Sequence, residues 1–540
     1  MLNVPYGVVF GPIPSDAVLA IHSGYDTVYE EMSGGFVHKF TKIFSSLFAI
    51  ACCGCSLPAL ANVTLPSMLA DHMVIQRDRP VHLWGMADPG EVITVDFRAS
   101  HASTTTDTLG RWSLYLPPGE AGGPFPLTIH GKNTIAWNDI LVGDVWIASG
   151  QSNMEFMIAQ TAWSNSGVLD WKNVLAAANV PNLRILQMHK TYAMYPMADA
   201  VSTGWSACTP TTVANFSAVG YFFAREIMDH EHVPVGIIEA DWGGTPAEAW
   251  TSLDALSADA GLMPVFAARA QSMDQEVTRT LQTQADERAA ALAKAQGKTP
   301  LPIPWHPDPQ SWAPAGLFNG MIAPLIPLPI RGVIWYQGES NTDASRAPIY
   351  QRLFTSMIQD WRTHWAQGNF PFLFVQIASF QSDDEWAEVR EAQRKTLSLP
   401  NTGMAVTIDI GNPDDVHPKD KQDVGHRLAL WALDVAYGEH VEDSGPLFRQ
   451  AVPEDGKMHV WFDHAESGLD VHGKQLEGFE VAGADKKFVS AQAEVQGDSV
   501  VASSAVVPNP KYVRYAWASN PTCNLFNHDG LPASPFTSIP

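Results

Sequence analysis

A serine follows a predicted buried strand in a setting where it could act as a nucleophile. Residues 140–149 form an apolar run that is typical of such a strand, and Gly150 comes two positions before Ser152. The glycine permits a sharp turn from strand to helix, which lifts the serine hydroxyl out of the sheet beside backbone N–H groups that can hold an oxyanion. An ordinary β-turn uses the same residue types, so the motif needs support from elsewhere in the chain.

Three further polar motifs follow strand-like runs where a serine hydrolase would need them. The first is a double glycine that lets a backbone N–H approach a ligand closely: Gly243 and Gly244. The second is a group of amide and carboxylate side chains: Gln337, Glu339 and Asn341. Because the carboxyl ends of parallel strands meet at one edge of a sheet, we expect these motifs to lie close to Ser152.

The third motif places Asp414 three positions before His417 on one short loop. A carboxylate at this spacing can orient the imidazole and stabilise its protonated form, with Asp415 as the alternative partner. His417 is therefore a candidate general base, and activity should rise with pH through a pKa of roughly 6–7. The histidines and cysteines do not show metal-ligand spacing, so neither a metal nor another cofactor is predicted.

The elements that would position these residues follow a three-part pattern. Residues 62–138 contain short alternating runs broken by proline and glycine, which predict an N-terminal β-sandwich-like domain. From 139 to 437, strand-like runs alternate with amphipathic helices, which predicts an α/β domain whose parallel sheet has helices on both faces. Within it, 265–298 has the composition of a charged helical insertion. Residues 446–540 return to short strands and predict a C-terminal β domain.

Charge and composition narrow the range of partners. The chain has 540 residues, more than one hydrophobic core usually holds, and a formal net charge of −24. Such a charge argues against nucleic acid or an anionic membrane surface as a partner. A polyanionic substrate would also be repelled unless the site were locally basic. After the N-terminal segment, the sequence contains no apolar run of about 20 residues that would predict a membrane span.

The N-terminal segment is typical of an export signal. Two lysines precede the short apolar stretch 43–53, and residues 59–61 have the small-x-small form of a cleavage site. We therefore predict a signal peptide from Lys39 to Ala61 and a secreted or periplasmic mature protein. Residues 1–61 as a whole are assigned to this signal and an upstream extension, with Met32 as an alternative start.

The motifs and both flanks together closely resemble the sialate O-acetylesterase family of SGNH (GDSL-like) hydrolases. The matching segments are 150–155, 242–250, 335–341 and 417–419, flanked by 65–74, 513–517 and 530–536. The resemblance covers essentially all of the predicted mature chain. It implies a flavodoxin-like esterase core with accessory β domains, and cofactor-free hydrolysis of acetyl esters on sugar hydroxyls through an acyl-enzyme.

The resemblance also implies roles for particular residues. Ser152 would be the nucleophile, His417 the general base, and Asp414 the third member, with Asp415 as the fallback. The implied oxyanion donors are the backbone N–H groups of Ser152, Gly243 and Gly244, and a side-chain amide of Gln337 or Asn341. The implied substrate-binding residues are Gln151 and Glu339.

Two alternative functions stay open at the level of the sequence. One is an esterase that acts on acetylated plant polysaccharide such as xylan, because the motifs recognise the acetyl end and leave the sugar undefined. The other is an inactive carbohydrate-binding relative, against which the intact Ser152 and His417 argue. The partner expected in each case is an O-acetylated carbohydrate.

Overall fold

The computed structural model describes residues 62–160, 167–300 and 308–540, with the backbone alone for 271–278. The predicted signal peptide lies outside the described residues. Those residues all belong to one compact unit, Ala61–Pro540. Within the described ranges, none of the helices is long and apolar enough to cross a membrane.

The first part of this unit is built from short antiparallel strands. Strand β2 pairs with β5, while β3 pairs with both β4 and β6, and β6 pairs with the first half of β7. Buried and exposed residues alternate along β2 and β5, as expected when one face of a strand packs on a core. The strands are β1 (Val74–Gln76), β2 (Val81–Met86), β3 (Val92–Phe97), β4 (Ser100–Thr105), β5 (Arg111–Leu116), β6 (Gly122–His130) and β7 (Thr134–Gly150).

The second half of β7 forms the middle of a parallel sheet. The strand order is β13-β12-β11-β7-β10-β8-β9, and every neighbouring pair is parallel except β8 and β9. Strands β10 to β13 are buried along their whole length, which explains why most of their residues are apolar. The additional strands are β8 (Val180–Gln187), β9 (Ser206–Cys208), β10 (Val235–Asp241), β11 (Gly332–Tyr336), β12 (Phe372–Val375) and β13 (Thr402–Ala405).

Helices cover both faces of this sheet. Trp146 on β7 is paired with Gly332 and contacts Phe223, whereas Trp335, three positions after Gly332, points to the other face and contacts Trp361. Phe223 lies on helix α3 (Ala218–Glu231) and Trp361 on helix α6 (Tyr350–Trp365). The helices are α1 (Ser152–Glu155), α2 (Trp171–Ala176), α3 (Ala218–Glu231), α4 (Leu253–Ala258), α5 (Pro264–Ala295), α6 (Tyr350–Trp365), α7 (Trp386–Thr396) and α8 (Lys421–Tyr437).

The C-terminal strands surround a second hydrophobic cluster. They form two four-stranded sheets, β14-β15-β20-β19 and β18-β17-β21-β23, and the pair β16-β22. Buried Arg390 on α7 donates hydrogen bonds to the carbonyls of Ala518 and Ser519 and so ties this region to the central sheet. The strands are β14 (Leu447–Glu454), β15 (Lys457–Asp463), β16 (Leu469–Val471), β17 (Phe479–Ala482), β18 (Val489–Ser490), β19 (Gln492–Gln496), β20 (Ser499–Ser503), β21 (Tyr512–Tyr515), β22 (Leu525–Asn527) and β23 (Phe536–Thr537).

The fold is thus a mixed parallel and antiparallel sheet with helices and additional β regions, which agrees with the predicted α/β class at this level. Strand β7 runs without a break across residue 138, where the sequence predicted a domain boundary. Because one strand belongs to both the antiparallel part and the parallel sheet, the position of Ser152 is coupled to both parts.

Candidate active site

Ser152 begins α1 directly after the end of β7. Gly150 has a φ of +139°, and a Cβ at this position would lie 2.1 Å from the carbonyl oxygen of Tyr336 on β11. That carbonyl also accepts a hydrogen bond from the N–H of Gln151 at 2.9 Å. Only glycine fits this close approach, so the turn occurs where the sequence predicted it and places Ser152 at the carboxyl edge of the sheet.

His417 lies within hydrogen-bond distance of Ser152. The Nε2 atom of His417 is 2.9 Å from the Oγ atom of Ser152, although the two residues are 265 positions apart in the sequence. The histidine is on the loop between β13 and α8, which leaves the same edge of the sheet as β7. A hydroxyl paired with an imidazole in this way can transfer its proton as it attacks a carbonyl carbon.

The carboxylate beside the imidazole is that of Asp415. Its Oδ1 lies 3.4 Å from Nδ1 of His417 and accepts a hydrogen bond from the His417 backbone N–H at 2.9 Å. The N–H of Asp414 instead donates to Asn412, and its carboxylate forms no ion pair with His417 in the part of the chain that the structure describes. The structure thus brings Asp415, the predicted alternative, and not Asp414 to the imidazole, because the loop turns back at Asn412.

The surroundings of His417 favour the neutral imidazole. Burial and, after it, the positive charge of Lys421 lower the pKa of His417 to about 4, although the carboxylate of Asp415 acts in the opposite direction. This is below the pKa of roughly 6–7 that the sequence predicts for an ordinary histidine. A neutral imidazole is the form that accepts a proton, so His417 can accept a proton down to a lower pH than the sequence predicts.

The acid limb of the pH profile should therefore lie near pH 4. As the pH falls through the pKa of His417, the imidazole is protonated and kcat/KM should drop about tenfold per pH unit. The measurement is kcat/KM for an aryl acetate from pH 3 to 8, with circular dichroism at each pH to exclude unfolding. A limb near pH 6.5 would show that His417 is solvated in the working enzyme.

Two of the three backbone N–H groups predicted to hold an oxyanion are unengaged among the described residues. Among the described residues, the N–H groups of Ser152 and Gly244 have no hydrogen-bond acceptor. The N–H of Gly243 donates to Oε2 of Glu155 at 2.6 Å, so its predicted role is corrected. A Cβ on Gly243 would lie 3.0 Å from Oε2 of Glu155 and 3.2 Å from the Cβ of Ser152, so a side chain here would crowd both residues.

The predicted side-chain amides are already engaged elsewhere. Nε2 of Gln337 donates to Oδ1 of Asn341 at 2.7 Å and to the carbonyl of Thr245 at 3.2 Å. Nδ2 of Asn341 donates to Glu248 at 2.9 Å, and both amide residues are fully buried. They stabilise the two turns that follow β10 and β11, so the structure does not support their predicted role as oxyanion donors.

The two predicted substrate contacts differ in their surroundings. Oε1 of Gln151 accepts from the N–H of Ser340 at 3.2 Å, while its amide nitrogen has no acceptor among the described residues and can still donate to a ligand. Glu339 accepts from Asn153 at 2.6 Å through Oε1, and its Oε2 is inaccessible to solvent. The role of Gln151 in substrate binding stays a prediction, whereas the Glu339 carboxyl group is turned toward the protein interior.

Comparison with known proteins places this site in a family. The profile of the carbohydrate esterase family described as sialic acid-specific acetylesterase matches residues 142–299 and 278–434. Sialate O-acetylesterase from Rattus norvegicus is 30% identical over 527 residues, which covers 87% of this chain and 93% of the relative. The Homo sapiens sialate O-acetylesterase is 29% identical over 534 residues, covering 88% and 92% respectively. The chain belongs to this esterase family.

A solved structure supports the same assignment. The carbohydrate acetylesterase from Xanthomonas citri is 40% identical, with a TM-score of 0.76, and the match covers 88% of this chain and 99% of that one. The protein is accordingly a carboxylic ester hydrolase, as the motifs predicted.

In this esterase an ion pair lies next to the nucleophile helix. Lys190 donates to Oε1 of Glu155 at 2.6 Å, and its ammonium lies 5.9 Å from the centre of the Trp242 ring. Because Glu155 also accepts from Gly243, this pair orients the glycine turn beside Ser152. Glu155 belongs to the 150–155 segment of the resemblance, but the sequence indicated no role for it or for Lys190, because their pairing joins residues 35 positions apart.

A second set of residues escaped the sequence analysis. Asn153, next to the nucleophile, is 1% exposed and bonds to Glu339, to the carbonyl of Val416 and to Lys421. Its position beside Ser152, within the 150–155 segment of the resemblance, was the available signal. Lys421 offered none, because lysine in a sequence is expected at the surface, whereas here it is 0% exposed.

Proposed function

We propose that this protein is a serine esterase of the SGNH type that removes O-acetyl groups from sugars, most directly from sialates. The observation that carries the proposal is the 2.9 Å contact between Ser152 and His417, beside two N–H groups without acceptors, in a member of this esterase family. The nucleophile at the end of a central strand and the histidine after the last strand of the sheet are also the arrangement expected of an SGNH core.

The proposed reaction begins with attack of Ser152 on the acetyl carbonyl carbon. His417 Nε2 takes the hydroxyl proton, and the oxygen of the tetrahedral intermediate receives hydrogen bonds from the N–H groups of Ser152 and Gly244. The protonated imidazole then gives its proton to the sugar oxygen, the ester bond breaks, and an acetyl-enzyme remains. Water, deprotonated by His417, attacks the acetyl-enzyme and releases acetate.

The proposed role of Asp415 is to orient the imidazole and stabilise its charged form. Its side chain is 42% exposed and lies 3.4 Å from Nδ1, so solvent screens the pair. We therefore expect a smaller catalytic contribution from Asp415 than from the buried aspartate of a serine protease triad.

The charges around the nucleophile favour an anionic sugar despite the acidic chain. Burial raises the pKa of Glu239 and, together with neighbouring carboxylates, of Asp241, so both groups beneath the site carry little negative charge near neutral pH. Lys190 is 42% exposed, and an ammonium paired with Glu155 still has two N–H donors for a ligand. A sugar carboxylate beside Trp242 and Lys190 would therefore meet a cation.

Neutralising Lys190 should lower activity selectively on a charged sugar. We expect Lys190→Met to reduce kcat/KM for O-acetyl sialic acid about fivefold, the upper end for a partly exposed ion pair. The methyl ester of the same sugar lacks the carboxylate and should be affected much less. The measurement is acetate release from both substrates by the wild type and by the variant, with Lys190→Arg as the charge-preserving control.

Two outcomes would change the substrate assignment. An equal loss on both substrates would show that Lys190 acts only through Glu155 and not on the sugar carboxylate. A higher kcat/KM for acetylated xylo-oligosaccharides than for O-acetyl sialic acid would favour the plant polysaccharide esterase instead.

A further inference from the structure

A buried charged network connects the chain segments that carry the nucleophile and the base. Nζ of Lys421 donates to Oδ1 of Asn153 at 2.5 Å, and Nδ2 of Asn153 donates to Oε1 of Glu339 at 2.6 Å. The same Nδ2 donates to the carbonyl of Val416, one residue before His417, at 3.0 Å. One amide side chain thus joins α1, the turn after β11, the histidine loop and the first residue of α8.

Only one orientation of the Asn153 side-chain amide satisfies both Lys421 and Glu339. Its carbonyl oxygen can only accept and its nitrogen can only donate, so the oxygen takes the ammonium while the nitrogen takes the carboxylate. Both hydrogen bonds are short, as expected for charge-assisted bonds. The Asn153 side chain therefore sits between a buried cation and a buried anion in a defined orientation.

Lys421 occupies a position that stability alone does not favour. It is 0% exposed, and its ammonium lies 5.0 Å from the Phe156 ring centre and 5.2 Å from that of Tyr336. It is also the first residue of α8, where the helix dipole opposes a positive charge. Burying an ammonium here costs free energy that hydrogen bonding and ring contacts only partly offset, which points to a functional reason for the charge.

We infer that Lys421, held by Asn153 and balanced by Glu339, is a positioning residue that sets the geometry and the charge state of the His417 base. This inference rests on the proposed mechanism and adds to it residues that do not touch the substrate. The network holds the Val416 carbonyl against α1, which fixes the distance from the imidazole to Ser152. Its cation also opposes protonation of the imidazole before the substrate binds.

The groups that face His417 come from several elements. Asp415 lies on its own loop, Lys421 on α8, Ser152 on α1, and Glu339 acts from the end of β11 through Asn153 and Lys421. Burial lowers the pKa of His417, and the charge of Lys421 lowers it further, while Asp415 opposes both. Burial also lowers the pKa of Lys421 to about 7, with Glu339 opposing, so the ammonium is charged where the imidazole titrates.

The experiment compares the pH dependence of kcat/KM in variants of Lys421 and of Glu339. Lys421→Met removes the cation, so the acid limb should move to higher pH by about one unit, and kcat should fall because the loop is less well held. Burial raises the pKa of Glu339, so this carboxyl group carries little charge at the acid limb, and Glu339→Gln should leave the limb in place or move it to lower pH. Lys421→Arg should keep the limb near its wild-type position. Lys419→Met, which removes an exposed lysine two residues away, is the matched control and should leave the profile unchanged.

Thermal unfolding of each variant separates folding from positioning, because loss of stability alone lowers the amount of active enzyme without moving the acid limb. If Lys421→Met does not fold, Glu339→Gln and Lys421→Arg still test the direction in which the acid limb moves. A limb that stays in place in Lys421→Met, or that rises in Glu339→Gln, would overturn the inference. A wild type without any acid limb, or full activity in Ser152→Ala, would instead overturn the proposed mechanism itself.

Discussion

Replacement of Ser152 by alanine should reduce kcat for an aryl acetate at least about 10³-fold while the fold is retained. The hydroxyl is the group that His417 contacts at 2.9 Å, and no acyl-enzyme can form without it. Alanine also occurs readily at the start of a helix, and α1 keeps its contacts through Asn153. The measurements are steady-state kinetics and circular dichroism of the variant and the wild type.

A matched serine variant and a covalent probe complete this test. Ser257→Ala changes an exposed serine on α4 and should retain wild-type kinetics. An organophosphorus ester should label the wild type once, at Ser152, as found by mass spectrometry of the digested protein. Retained activity in a correctly folded Ser152→Ala, or labelling at another serine, would remove Ser152 from the nucleophile role.

Replacement of His417 by alanine should be nearly as damaging as loss of the serine, because the two side chains act as one unit. The variant loses both the proton acceptor for Ser152 and the donor for the sugar oxygen. The catalysis that remains in this variant would come only from stabilisation of the oxyanion by the N–H groups of Ser152 and Gly244. Steady-state kinetics at pH 7 measure the loss, and the covalent probe should label Ser152 in this variant far more slowly.

The neighbouring aspartates provide an internal control for the third member. Asp415→Asn should lower kcat on the order of tenfold, because the carboxylate contacts Nδ1 but is partly exposed. Asp414→Asn changes the adjacent exposed residue, whose carboxylate forms no ion pair with His417 among the described residues. We expect this variant to keep a kcat close to that of the wild type. A larger loss at Asp414 than at Asp415 would require a different loop conformation in the working enzyme.

The sequence alone predicted the candidate nucleophile and base, which the structure brings together, and the α/β class of the fold. The glycine before the nucleophile, the double glycine and the histidine after the last strand are local signals, because each depends on backbone conformation or on a single side chain. Strand β7 and the alternation of apolar runs with helices were equally visible, since burial on both faces of a parallel sheet leaves a largely apolar sequence.

The tertiary structure decided which of those groups are free to act. The N–H of Gly243 is taken by Glu155, 88 positions away, and the amide of Gln337 is bound to the turn after β10, 92 positions away. Likewise, the loop conformation and not the spacing selected Asp415 over Asp414. Hydrogen-bond partners of this kind depend on which turns lie next to each other at the edge of the sheet, and the local sequence around each residue does not specify those long-range contacts.

The charge state of the base is the clearest case of a property that only the folded protein has. His417 has an ordinary imidazole, but burial and the ammonium of Lys421 lower its pKa to about 4. Lys421 in turn can stay buried because Asn153 accepts a hydrogen bond from its ammonium and Glu339 lies on the other side of the same amide. Sequence supplies the ionisable groups, whereas desolvation and the distances between charges, which set their pKa values, arise only when distant segments pack together.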